Sequence, residues 1–291
     1  CDTLDAYFAA FRIPDAIFQF VVLGALSAGF IPVFVELMER SGKGYKSGKS
    51  GKGESSFAIS DTSATFATNI DHWRVASSVL NALLVLLVLL VLLFIIFAPQ
   101  LQLLIAPGFS GEKLALTVKL ARIMALGPLF LGISAVLSGI LQSYRRFVVY
   151  AFAPVLYNLG IILGAVWFTK FWGITGLALG VVLGTVLHAL VQLPTARAVG
   201  FRFRAICDLK SAPVRKIAWL SLPRVLGLAV TQINLFAITI IASQLTSGSL
   251  TVFNLANDIQ SVPIGLFAIS LATAAFPAFS EFAARADREG F

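Results

Sequence analysis

Long stretches without charge dominate this sequence. No charged side chain occurs between Val75 and Gly111, and similar stretches cover Ile123–Tyr144, Phe147–Thr169, Phe171–Ala196 and Val225–Asn257. A helix needs about 20 apolar residues to cross a hydrocarbon core about 30 Å thick. Only helices and closed barrels span such a core, because lipid offers the backbone no hydrogen bonds. The apolar run at 83–97 lacks the alternation of a barrel strand. The sequence therefore predicts an all-α polytopic membrane protein.

Composition agrees with this fold class. Hydrophobic residues make up 58% of the chain and charged residues 12%, against roughly a quarter charged in soluble domains. The net charge of +8 would suit nucleic acid, but the basic residues lie in short loops rather than along one stripe, so we predict no nucleic-acid partner. Seven spans are predicted, at residues 14–38, 75–98, 120–143, 148–169, 173–194, 217–245 and 250–282.

The loops between these spans alternate sharply in charge. Sixteen of the 22 basic residues fall in the loops of one side and in the tail, whereas the loops of the other side hold Lys113, Lys119 and Lys170. By the positive-inside rule the basic side faces the cytoplasm. Seven spans then place the chain start outside and residue 291 inside. Residues 39–74 form a cytoplasmic loop, and its Gly/Ser/Lys-rich part, Ser41–Ser56, indicates a flexible linker. Its lysines are suited to anionic membrane lipids, or mark topology alone.

Two segments far apart in the chain share a pattern. Sliding the first by 245 positions aligns Pro32, Phe34 and Glu36 with Pro277, Phe279 and Glu281. Both end an apolar helix on the same side, so a true duplication would be a parallel repeat about an axis along the membrane normal. Chance similarity between apolar helices is the alternative.

Several short motifs resemble the MurJ/MviN lipid II flippase family of the MATE-like exporter superfamily. They occur in the family's order over nearly the whole chain: Asp5-Ala-Tyr-Phe with Arg12-Ile-Pro14, Gly24-Ala-Leu-Ser27, Ala106-Pro-Gly-Phe109, Phe152-Ala-Pro154 with Asn158, Ser247-Gly248-Ser249 and Phe276-Pro277. The resemblance implies a fourteen-helix transporter with two lobes around a cationic cavity. This chain would be an internal fragment, with residues 1–210 as a first lobe lacking its first helix and 211–291 as the first two helices of the second lobe.

The resemblance also implies a function. Family members translocate the undecaprenyl-pyrophosphate-linked peptidoglycan precursor across the bacterial inner membrane by alternating access. This chain departs from the pattern at Phe18, where the family often has arginine, and within Asn254–Gln260, where it has a basic residue. The alternatives are therefore another exporter of the superfamily, for polysaccharide repeats or drugs, and a membrane scaffold without transport. No enzyme is predicted, since no catalytic or metal-ligating constellation appears; a coupling cation or the membrane potential would supply energy, without a cofactor.

Charged side chains inside the spans are the candidate site residues, because each costs about 2.5–3.5 kcal/mol on insertion scales. Arg224 lies about two turns into its helix, and its guanidinium suits a diphosphate; the alternative is snorkelling to the headgroups. Arg12 and Asp15 share a helix face, where Arg12 would bind substrate or the two would form an ion pair. Asn158 is a substrate contact through the resemblance alone.

A polar stripe on the last span completes the candidates. Asn254, Asn257, Asp258 and Ser261 recur at helical spacing. Asp258 lies near 13 Å from the outer end at 1.5 Å per residue. We predict that it binds a coupling cation or proton or pairs with an arginine, while Asn254 and Asn257 contact substrate. Hydrogen bonding between helices is the structural alternative.

Overall fold

The computed structural model describes residues 2–23, 29–40 and 71–269; within these ranges the chain forms helices joined by short turns, without strands. Three helices extend into π-helical turns, at Phe18–Leu23, Gly164–Phe168 and Ile264–Ile269. The α-helices follow in the order α1 (Asp2–Ile17), α2 (Ile31–Arg40), α3 (His72–Ile105), α4 (Gly111–Met124), α5 (Gly127–Ser143), α6 (Phe147–Leu163), α7 (Thr169–Trp172), α8 (Ile174–Leu190), α9 (Leu193–Ala198), α10 (Ala212–Ser243) and α11 (Ser249–Pro263).

Five helical segments are long and apolar enough to span a membrane within the described ranges, namely His72–Ile105, Gly111–Ser143, Phe147–Trp172, Ile174–Ala198 and Ala212–Ser243. The predicted class of polytopic helical protein is confirmed. The predicted spans 14–38 and 250–282 include residues outside the described ranges, as do most of the loop 39–74 and the second copy of the proposed repeat at 277–281.

Helix α1 begins at Asp2, well before the predicted start of the first span at residue 14. Asp2 and Asp5 are acidic residues in its first turn. Both carboxylates bond to Lys113 at distances of 2.7 and 3.0 Å. Because these partners satisfy the charges, α1 extends by about three turns at 3.6 residues per turn.

The predicted span 120–143 also begins too late, since the helical segment starts at Gly111. It is interrupted between α4 and α5 at Ala125 and Leu126. Pro128 follows, and its ring nitrogen has no proton to donate to the Met124 carbonyl. The missing hydrogen bond explains why the helix axis breaks here, next to a glycine at 127.

Helices α6 and α8 pack so closely that their backbones are in contact. A Cβ atom built on Gly160 would lie 2.4 Å from the Gly184 Cα, and one on Gly164 would lie 2.5 Å from the Gly180 Cα. Glycine at every fourth position therefore removes side chains from the facing stripes of both helices, as in other close membrane helix pairs. This pair fixes one wall of a cavity described below.

The two ends of the bundle differ in composition. One end carries the turns with Arg145, Arg146, Arg197, Arg202 and Arg204, and we call it the basic end. There Arg204 Nη1 contacts the Asp71 carboxylate at 2.7 Å, and Trp73 stacks on Tyr144 with ring centroids 5.8 Å apart. At the other end α1 begins and α10 turns into α11; we call it the Asp2 end.

Helix α10 lies at the edge of the described bundle. In its most apolar stretch 17% is buried, against 61% in the stretch of Gly111–Ser143. Its buried side chains include Ile217, Ser221, Gln232, Thr239 and Ser243, which recur about every fourth position and so form one stripe. This stripe faces α1, α2 and α3.

Candidate functional site

Arg12 joins three helices in the interior. Its guanidinium Nε donates to the Thr239 hydroxyl on α10 at 3.0 Å, and Nη2 donates to the Asn254 side-chain oxygen on α11 at 2.6 Å. The arginine is 9% exposed. Asn254 Nδ2 donates to the Leu250 carbonyl at 2.7 Å, which leaves its amide oxygen to accept from Arg12. The charge is therefore held by side chains far away in sequence and is covered in this structure.

Asp15 lies one turn further along α1 and is half-buried. Its carboxylate accepts from Gln232 Nε2 on α10 at 3.3 Å and from Gln19 on its own helix. Arg12 and Asp15 interact electrostatically, but they form no ion pair within 4 Å. The predicted proximity of the two groups is thus present without a direct bridge.

The other candidate residues lie on exposed surfaces of α10, α11 and α6. Arg224 is exposed and has no hydrogen bond or ion pair with any residue that the structure describes. Asn257 and Asp258 are exposed as well, and Asp258 interacts electrostatically with Arg12. Asn158 is exposed on α6, whose main neighbours are α8 and α5 rather than α10 or α11. The structure thus groups Arg12, Asp15, Asn254 and Asp258, and leaves Asn158 apart.

A second group of residues, which the sequence did not predict, joins α1 to α11 at the Asp2 end. Asp5 is 2% exposed. Its carboxylate accepts from the backbone N–H groups of Gly248 at 2.7 Å and Thr251 at 2.9 Å, and from the Thr251 hydroxyl at 2.6 Å. A side chain on one helix therefore caps the N-terminus of another, where free N–H groups and the helix dipole favour an anion.

Lys113 completes this arrangement from α4. Its ammonium bonds to Asp2 at 2.7 Å and to Asp5 at 3.0 Å, and Asp2 also accepts from the Ser247 hydroxyl at 2.8 Å. We call these residues, with Gly248 and Thr251, the latch. Burial acts to raise the pKa of the Asp5 carboxyl, but hydrogen bonds from Thr251, Gly248 and Lys113 outweigh it and hold that pKa below its ordinary value.

A cavity of about 350 Å³ lies between α1, α5, α6 and α8. Its polar wall consists of Asp15, Tyr157, Thr185 and His188. Its apolar wall includes Phe18, the position where a family arginine was expected. His188 is not among the site residues predicted from the sequence. The sequence does contain a signal for its contacts. His188 and Gln192 are four residues apart on one helix, and Ser134 and Ser138 are four residues apart on another, so each pair shares a helix face.

Comparison with known proteins decides the family. The model of the family described as lipid II flippase MurJ matches residues 2–291. The chain belongs to the MurJ family. It is 31% identical over 281 residues to a probable lipid II flippase MurJ of Buchnera aphidicola subsp. Acyrthosiphon pisum, covering 95% of this chain and 50% of that protein. It is 28% identical over 291 residues to lipid II flippase MurJ of Burkholderia cenocepacia, covering 97% and 51%.

A solved structure shares the fold. It is a lipid II flippase MurJ in an inward closed conformation, with a TM-score of 0.72 and 24% identity, and the match covers 99% of this chain and 53% of that chain. The MurJ-family chain spans about half the length of the curated relatives it matches. Its family consists of multi-pass membrane transporters, as the resemblance predicted.

Proposed function

We propose that the protein is a lipid II flippase, which moves the undecaprenyl-pyrophosphate-linked peptidoglycan precursor across the bacterial cytoplasmic membrane by alternating access. Membership of the MurJ family supports this function. The basic end faces the cytoplasm in this proposal, by the positive-inside rule. Residues 1–210 belong to a first lobe and 211–291 to a second, so the latch joins the two lobes on the outer side.

The observation that carries the proposal is the uneven contact of α11 with α1. In its first two turns α11 buries Leu250, Thr251 and Asn254, whereas the range 255–263 is exposed. The helix is thus held against the first lobe at the Asp2 end. In this proposal such a contact holds the outer face closed.

In this proposal the candidate residues contact the headgroup of the substrate. Arg224 is an exposed guanidinium about 18 Å from the start of α10 at 1.5 Å per residue, suited to a diphosphate by its two parallel donors. Asn257 is exposed one turn beyond Asn254. Arg12 and Asn254 are bonded to each other here; they would meet the headgroup when α1 and α11 separate. Asn158 would meet it from α6.

Energy for the cycle comes from the membrane potential or a coupling ion in this proposal, and the protein catalyses no covalent chemistry. Asp258 is the exposed carboxylate of the interface, on α11, and interacts electrostatically with Arg12. An intramembrane carboxylate of this kind is suited to bind a cation or a proton.

Complementation tests the function. The complete protein encoded by the native reading frame is expressed in a strain depleted of its own lipid II flippase. Rescue of growth is expected, together with exposure of the precursor to a membrane-impermeant enzyme that cleaves it. An expressed, membrane-inserted protein that leaves the precursor protected would contradict the proposal.

Two observations favour a second candidate, an exporter of the same superfamily with a different cargo. Phe18 lines the internal cavity, and Asp258 is exposed within the stretch where the resemblance expects a basic residue. Both changes remove positive charge from places suited to a diphosphate. Failure of complementation, combined with an Arg224→Ala variant that behaves like the unmodified protein in every transport assay, would favour this candidate.

A further inference from the structure

The cavity lies where three neighbouring helices each carry a proline. Pro14, Pro128 and Pro154 all line it. Each proline removes a backbone donor and frees the carbonyl four residues earlier, which bends its helix. Gly127 adds a position without a side chain. The result is a space of about 350 Å³, large enough for several waters at about 30 Å³ each.

His188 is anchored in the wall of this cavity by α5. Its Nδ1 lies 2.5 Å from the Ser134 hydroxyl, which is also 3.3 Å from the His188 carbonyl. Gln192 Nε2 donates to the same hydroxyl at 2.6 Å, and Ser138 donates to the Gln192 side-chain oxygen at 2.8 Å. Ser134 and Gln192 are 0% exposed. Ser134 and Gln192 are therefore shielded from water, whereas His188 is half-buried.

The network accommodates a proton on Nδ1 of the imidazole. A hydroxyl has one proton and two lone pairs. Ser134 is fully satisfied when it accepts from Gln192 and from Nδ1–H, and donates its proton to the His188 carbonyl. With this assignment Nε2 is the ring nitrogen that remains for the cavity. It can gain and lose a proton without any change in the bonds to Ser134.

Asp15 lines the same cavity from α1. Gln232 and Gln19 donate to its carboxylate, so neutral amides satisfy part of the charge. The titratable groups around the cavity are His188 on α8, Tyr157 on α6, which interacts electrostatically with Asp15, and Arg12 on the same helix. Asp258 on α11 acts on Arg12 from outside. The imidazole and the carboxylate are the two groups here whose ordinary pKa values lie below 7.

We propose that His188 and Asp15 form an internal proton-binding site within the first lobe. One proton from water at the open face binds at His188 Nε2, shared through cavity water with the Asp15 carboxylate, and leaves to water at the other face when the helices rearrange. No other bond forms or breaks. Its coupling to transport rests on the proposed function, whereas proton binding itself does not. In this proposal proton binding supplies energy for transport at a place away from the substrate interface.

The first test measures proton binding directly. The complete protein, labelled with ¹⁵N-histidine and reconstituted in lipid, is titrated while ring nitrogen shifts are recorded. His188→Gln identifies the His188 signal, and His72→Gln is the matched control, since His72 lies outside the cavity. The His188 signal is expected to titrate at Nε2, with a lower midpoint in Asp15→Asn, because a negative charge nearby favours the protonated ring. A signal that stays constant from pH 5 to 9, or a midpoint unmoved by Asp15→Asn, would overturn the site.

The second test measures coupling. Precursor movement is followed in proteoliposomes with an imposed pH gradient, a sodium gradient or neither. A rate that rises with the pH gradient in the unmodified protein and in His72→Gln, but not in His188→Gln, is expected. Dependence on sodium alone would overturn the coupling role even if His188 titrates. A complete absence of precursor movement in the unmodified protein would contradict the proposed function, while the titration would still decide the site.

Discussion

The two halves of α11 meet very different surroundings. Its first two turns are buried and bonded to Asp5, Arg12 and the side chains around them. Residues 255–263 of the same helix are exposed and carry Asn257 and Asp258. The difference shows where binding between the helices is strong. Desolvated, charge-assisted hydrogen bonds hold one end, while the described structure holds the other end by no comparable contact.

The contacts that hold α11 are concentrated near its start. The strong contacts lie within about 15 Å of the Asp2 end at 1.5 Å per residue, and they join side chains on α1, α4 and α11 that must all separate if the outer side opens. Asp5 and Arg12 carry opposite charges, and each binds α11 at a different position along α1. Their removal, one at a time, measures how much of the closed arrangement depends on each.

Asp5→Ala should have the largest effect. It leaves the N–H groups of Gly248 and Thr251 and the Lys113 ammonium without their buried acceptor, and each unsatisfied group costs on the order of 1–3 kcal/mol. We expect a lower thermal unfolding temperature of the purified protein and loss of rescue in the complementation strain. Asp2→Asn is the matched control, because Asp2 is exposed. Unchanged unfolding in Asp5→Ala would show that the latch contributes nothing to stability.

Arg12→Ala should have the second-largest effect on stability, because it removes both hydrogen bonds that join α1 to Thr239 and Asn254. Bonds to charged groups contribute about 1.5–3 kcal/mol each. Arg12→Lys, which keeps the charge but loses the two-donor geometry, should lie between Ala and the unmodified protein. Disulfide formation between cysteines placed on facing positions of α1 and α11 reports the separation. Equal cross-linking in all three proteins would contradict a holding role for Arg12.

Arg224→Ala should separate function from stability. Because Arg224 has no bond to any described residue, we expect unchanged unfolding and a loss of rescue through lost diphosphate binding. Lys at this position should restore part of the activity, since a point charge remains. Thr231→Ala, seven positions along and exposed on the same helix, is the control for a general effect of changing α10. Full rescue by Arg224→Ala would remove this residue from the mechanism.

The sequence predicted the helical membrane class and the family, because both depend on long apolar runs and on motifs in order. It also identified Arg12 as a charge that needs an explanation. It could not predict the partners, because Thr239 is 227 residues from Arg12 and the Gly248 N–H is 243 residues from Asp5. No local spacing encodes such pairs.

The weakest expected effect is the response of the latch to acid. The hydrogen bond from Lys113 is the main cause that holds the pKa of Asp2 below its ordinary value, and the Thr251, Gly248 and Lys113 bonds do the same for Asp5 against the opposing effect of burial. A group whose folded-state pKa is depressed stabilises the fold above its unfolded pKa, here about 3.9. That stability is lost as the pH falls through the lower folded-state value.

Unfolding temperature should therefore be insensitive to these two groups between pH 7 and about 4, and should fall below that range as the carboxylates take up protons. The Asp5→Asn variant has no charge to lose at this position, so its unfolding temperature should start lower at pH 7 and decline less steeply in acid. The measurement is the difference between the two proteins at each pH, because general acid effects act on both. Parallel curves would mean that Asp5 titrates alike in the folded and unfolded chain, and that the bonds to Thr251 and Gly248 do not favour its charged form.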